Sequence, residues 1–188
     1  MEPTAEKTKI SNADFVLLCK ELLAIARPDL EICRLVFGKD TPSIEAAHGE
    51  NAVHQDAEYI VITFKGNATH LLYVDGNSHI ANASEIFSKV ASTSSLVPWN
   101  GDSEQTRIDF VVKCGDVLHV AKPNLVSCEL KLGKDIAEKH ANDGFSTLDQ
   151  NKEYVVVTCR NGHTYTIEAD GKSLVSIAAE IFTKMMHK

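Results

Sequence analysis

No apolar run in the chain approaches the roughly 20 residues that a membrane-spanning helix needs. The opening MEPTAEKTKIS has no apolar segment of the kind a secretory signal carries. The expectation is a soluble, cytoplasmic protein that does not enter a membrane. Basic charge is in the minority: 19 Lys and Arg stand against 26 Asp and Glu, for a formal net charge of −7. That balance argues against a general nucleic-acid binder, which neutralises phosphates with a basic patch. Cysteine is sparse, and its number is odd: Cys19, Cys33, Cys114, Cys128 and Cys159. No two of them make a C-x-x-C pair, and small disulfide scaffolds are denser in cysteine than this. The thiols therefore read as small buried apolar groups. G-x-S-x-G, H-E-x-x-H and a glycine-rich phosphate loop are also missing. Gly38-Lys39-Asp40 and Gly133-Lys134-Asp135 lack the rest of a P-loop. The expectation is a protein that is not an enzyme and needs no cofactor.

What is present is one stretch, twice. Residues 58–90 read EYIVITFKGNATHLLYVDGNSHIANASEIFSKV, and residues 153–185 read EYVVVTCRNGHTYTIEADGKSLVSIAAEIFTKM. The offset is 95 residues (153 − 58), and it holds without a gap back to Asp14/Asp109 and Phe15/Phe110. Two copies are too few for a solenoid. They suggest a tandem duplication of one module, close to a covalent homodimer.

Ser11 or Asn12 can cap a helix whose apolar positions are Phe15, Leu18, Cys19, Leu22, Leu23 and Ala26, at three- and four-residue spacing. Pro28 ends it. Phe110, Cys114, Val117, Leu118, Ala121 and Pro123 repeat the pattern. Next come LEICRLVFGKD and LVSCELKLGKD. In the second, Val126, Cys128, Leu130 and Leu132 alternate with Ser127, Glu129 and Lys131, as in a strand covered on one face. EYIVITF and EYVVVTC are β-branched runs, and Asn161-Gly162 is a hairpin signal. The return strands THLLYV and TYTIEA are broken by Asp75-Gly76 and Asp170-Gly171. Ser78 and Ser173 can then cap a last helix. The expected fold class is α+β: two α-β-β-β-α modules, 11–91 and 107–188, each a three-stranded antiparallel sheet with helices on one face. Residues 92–106 read as a linker pinned by Trp99, and the modules are expected to pack as one pseudo-twofold unit.

Side chains alternate across a strand, so parity sorts them into faces. The core face repeats well between copies. The other face does not. In the second copy it carries Ser127, Glu129, Lys131, Tyr154, Val156, Thr158, Thr164, Thr166 and Glu168, which reads as a solvated surface. In the first copy it carries Ile32, Arg34, Val36, Tyr59, Val61, Thr63, Thr69, Leu71 and Tyr73. That surface is too apolar to face water uncovered. Ile32, Arg34, Val36, Tyr59, Val61, Leu71 and Tyr73 are the candidate interaction face, to be covered by the other copy, a second chain, an unknown protein partner or a ligand.

Two other function classes have some support. The order α-β-β-β-α resembles that of double-stranded-RNA-binding domains. The resemblance is in element order alone, and it implies a tandem nucleic-acid-binding module. Such modules hold phosphates with a lysine cluster at the start of the last helix. Here those positions read SHIANASEIF and SLVSIAAEIF, with Lys172 alone before the second cap. The other class is a metal site or a metal-assisted enzyme. Residues 41–57 and 136–152 are equal in length and read as long loops. The first holds Glu45, His48, Glu50, His54 and Asp56, a set able to bind a divalent ion.

Overall fold

In the computed structural model, which describes residues 10–40, 56–65, 69–74, 76–91, 99, 103–122, 125–136, 149–160 and 162–186, Ser11 opens the first helix. Its Oγ accepts the Asp14 amide at 3.1 Å, satisfying one of the amides a helix start leaves free. The helix, α1 (Asn12–Ala26), buries Phe15, Val16, Cys19, Leu22, Leu23 and Ala26. Strands β1 (Leu30–Phe37), β2 (Glu58–Phe64) and β3 (Thr69–Tyr73) form an antiparallel sheet in that order. Helix α2 (His79–Ala91) follows. The same order then recurs as α3 (Glu104–Ala121), β4 (Leu125–Leu132), β5 (Glu153–Cys159), β6 (Thr164–Glu168) and α4 (Leu174–Met186), with a second antiparallel sheet β4-β5-β6. The structure is α+β, with four α-helices and two three-stranded sheets among the described residues.

Positions 95 residues apart make matching bonds. The amide of Gly38 donates to the Ala57 carbonyl, and that of Gly133 to the Lys152 carbonyl, both at 2.9 Å. Both Gly-Lys-Asp segments are single 3-10 turns. At Gly133 the reason for glycine is spatial: an added Cβ would run into the Asp149 carbonyl. Ser78 and Ser173 each accept an amide three residues on, from Ala81 at 3.2 Å and from Ser176 at 3.0 Å. The turn before each last helix places glycine at positive φ, +82° at Gly76 and +83° at Gly171, where other residues are strained.

Two local expectations are corrected. Helix α3 starts at Glu104, inside the segment read as linker, because Ser103 caps it by accepting the Thr106 amide at 3.2 Å. The second expectation concerns Val126. The β4–β5 register shifts between Leu125 and Ser127, as the β1–β2 register does between Leu30 and Ile32. The bulge inserts one residue. It turns Val126 outward to 59% exposure and puts Leu125 into the core, so simple alternation misplaced Val126.

Helices stand between the two sheets. Helix α1 packs on β1 and α3 on β4, while α1 lies along α3 and α2 along α4. One continuous core runs through both halves. At its centre the Phe87 and Phe182 rings meet at 5.4 Å, and these are positions 95 apart. Ser84 and Thr183 hydrogen-bond at 2.8 Å across the same helix pair. Along the other pair, Lys113 reaches Glu21 at 3.0 Å and Asp116 at 3.8 Å. Trp99 is fully buried. Its amide donates to the Lys172 carbonyl at 2.7 Å, its Nε1 to Glu153 Oε1 at 2.7 Å, and its ring meets Phe110 edge-on.

Candidate functional site: the outward face of the first sheet

With helices on the inner side, each sheet has one outward face. On the first, strand register sets the candidate side chains in rows. Val36, Tyr59 and Tyr73 form one row, Arg34, Val61 and Leu71 the next, and Ile32, Thr63 and Thr69 the third. All seven residues picked from the sequence thus share one face. They are not equally open. Tyr73 is 46% exposed and Arg34 is exposed. Ile32, Val36 and Leu71 are half-buried. Tyr59 (6%) and Val61 (2%) are already closed off within the chain. The Tyr59 and Tyr73 rings meet edge-on at 5.4 Å, a favourable aromatic geometry. Phe37, one residue past Val36, belongs by strand alternation to the opposite, core-facing side. At the end of β1 it is 43% exposed, with the Lys39 ammonium 5.6 Å from its ring centre. Its position directly before Gly38 was the available signal.

The second sheet answers each row with different chemistry. Its rows are Lys131, Tyr154 and Glu168; Glu129, Val156 and Thr166; Ser127, Thr158 and Thr164. The reading of this face as solvated is corrected at its centre. Tyr154, Val156 and Thr166 are buried, and Ile136 joins Tyr154 and Val156 in a small cluster of its own. Tyr154 Oη accepts the Asp149 amide at 3.0 Å. Around this cluster the polar groups pair with one another: Lys152 with Glu168 at 2.9 Å, Lys131 with Glu129 at 3.8 Å. The Glu168 carboxylate raises the Lys152 pKa by stabilising the ammonium.

Glu45, His48, Glu50 and His54 lie outside the described residues, and Asp56 is exposed. Among the described residues no group of three or more His, Cys, Asp or Glu is arranged to hold a metal ion. The cysteines are poor nucleophiles. Burial drives the Cys19 and Cys114 thiols well above their ordinary pKa and pushes Cys33 and Cys128 up to about 12. Lys172, the lone lysine at the start of α4, is paired with Glu180 at 2.7 Å.

A scan of protein-family models, a search of curated proteins and a search of solved structures each found no match to this chain. No helix among the described residues is long and apolar enough to cross a membrane.

Proposed function

We propose that the protein is a non-enzymatic, cytoplasmic protein–protein interaction module built by internal duplication. Residues 11–91 and 107–188 would be its repeated units, related by a pseudo-twofold axis. In this reading the second unit is a scaffold and the first presents the contact face. The observation that carries it is the contrast between equivalent rows of two sheets with the same register. Arg34, Val61 and Leu71 stand where the other sheet has Glu129, Val156 and Thr166. Val36 and Tyr73 stand where the other has Lys131 and Glu168. On one face charged groups pair with one another, Lys152 with Glu168 and Lys131 with Glu129. The other leaves apolar and aromatic surface at its rim, of the kind that marks association. Contact of Phe87 with its equivalent Phe182 supports the duplication and the axis.

The occupant proposed for this face is a second copy of the chain, since rows of Leu, Val and Tyr are self-complementary in a twofold contact. Sedimentation velocity across a concentration series tests this. Tyr73→Glu is expected to abolish concentration-dependent association, and Glu129→Arg on the second sheet to leave it intact. Equal loss in both variants, or no association in the wild type, contradicts the proposal.

A further inference from the structure

A groove of about 560 Å³ lies in the second half, between the N-terminal turns of α3 and the last residues of β4. Its size is within the range of about 300–1,000 Å³ usual for binding clefts. Its apolar part is Ile108, 39% exposed, with the half-buried Leu130 and Leu132. Its rim is acidic: Glu104, Glu129 and Asp135, with Glu153 deeper. Lys131 is the one cation among the lining residues, and its ion pair among the described residues is with Glu129, at 3.8 Å. Glu153 is held by Trp99 Nε1 and by Arg107 at 3.2 Å. Glu104 and Asp135 make no ion pair among the described residues.

We propose that this groove binds an extended basic segment of a protein partner. The charge argues for a cationic occupant: two exposed rim carboxylates make no ion pair among the described residues, and a lysine or arginine entering between them would supply a countercharge. The shape argues for an extended chain. Strand β4 is the outermost of its sheet, and its ladder is irregular only between Leu125 and Ser127, at the end away from the groove. From Ser127 to Leu132 the strand keeps regular pairing, so its outer edge suits strand addition. Alternate side chains of an added strand point to opposite faces. An alternating basic–apolar segment would set apolar groups inward against Ile108, Leu130 and Leu132, and lysines outward toward the exposed carboxylates of the rim. The first half lacks this chemistry, having Arg34 at the position of Glu129 and Ala13 at that of Ile108. This inference is independent of the first-sheet face.

The test uses the full chain and a fluorescein-labelled peptide of about ten residues, alternating Lys and Val, which extends over the length of a strand. Anisotropy titration is expected to show saturable binding, weakened about tenfold or more in the Glu104→Lys/Asp135→Lys double variant, since two rim contacts become repulsive. Ile108→Gln is expected to weaken binding without changing net charge. The control Glu31→Lys/Glu85→Lys changes net charge equally at exposed sites outside the groove, and it should bind like the wild type. A control that loses affinity as much as the groove variant would reduce the effect to general attraction by an acidic protein and overturn the proposal. Absence of saturable binding to the wild type would also overturn it.

Discussion

Cys19 and Cys114 occupy matching places against β1 and β4, each close enough to a strand thiol, Cys33 or Cys128, to feel its charge. Their sparse, unmotivated spacing already read as core, and burial agrees. Two outcomes follow. Native protein at pH 8 is expected to leave these four thiols unlabelled by a thiol reagent, with all five cysteines reacting after denaturation; rapid native labelling of Cys19 or Cys114 would contradict the packing. Stability also falls with rising pH. A thiol whose folded pKa lies above its unfolded value of about 8.5 binds a proton that the unfolded chain has released. Its contribution is complete below about pH 8.5 and is lost as pH rises toward 12, at about 1.4 kcal/mol per pH unit per thiol. Urea denaturation between pH 8 and 11 should therefore be less pH-dependent in Cys33→Ala than in the wild type. The opposite limb belongs to Asp29. The buried Arg27 guanidinium forks onto its carboxylate at 2.9 and 2.7 Å, with its face over the Phe64 ring at 4.0 Å. The Asp29 pKa is lowered as a result. This contribution is present above the ordinary carboxylate pKa of about 3.9 and lost as pH falls through the folded value. Arg27→Gln is expected to flatten the acid limb of the stability profile below pH 4. Since Asp29 is matched by Asn124, which carries no carboxylate, and Arg27 by Lys122, the second half should show no such dependence when Lys122 is replaced.

The elements were largely legible because their signals are local. Ser11 caps, Pro28 stops, and β-branched runs make β2 and β5, while the Ser103 cap lay inside the segment read as linker. Legibility failed where geometry depends on a neighbour. A bulge is set by pairing, so Val126 was misplaced. The clash at Gly133 comes from Asp149, 16 residues on, so Gly-Lys-Asp identified a turn without its reason. Gly133→Ala must displace the Asp149 backbone and is expected to destabilise by about 1–3 kcal/mol. Gly115→Ala, where an added Cβ meets only Cys128 Cβ at 3.4 Å and helix propensity improves, should cost far less in the same thermal melt. Helix α2 carries a different irregularity. Asn82 is buried, and its Oδ1 has no hydrogen-bond partner among the described residues, whereas the position 95 residues on is Ile177. A buried acceptor without a partner costs about 1–3 kcal/mol. Asn82→Ile is expected to raise the unfolding free energy by about 1–2 kcal/mol. A drop would show that the Asn82 amide makes a stabilising contact after all.

The relation between the halves was the least legible feature. Repetition at an offset of 95 marks equivalent residues, yet nothing in a linear pattern says which of them touch. The answer lies in Phe87 against Phe182, in Ser84 bonded to Thr183, in Lys113 paired with Glu21, and in one core shared by all four helices. Nor could linear pattern reveal the acidic groove, whose walls come from Glu104 and Ile108, residues 129–132, Asp135 and Glu153. With a shared core the protein should unfold as one cooperative unit. Phe87→Ala is expected to cost about 3–5 kcal/mol and to lower a single transition, where independent halves would give two.

The face of β1, β2 and β3 is where the functional account stands or falls, and the most direct measurement is light-scattering mass of the wild type and of Leu71→Glu. The account predicts twice the chain mass of 20.6 kDa for the wild type, and the single-chain mass with a native fold by circular dichroism for the variant. A wild type at the single-chain mass, with a variant that either behaves identically or unfolds, would contradict it, because the face would then be idle or already covered within the chain.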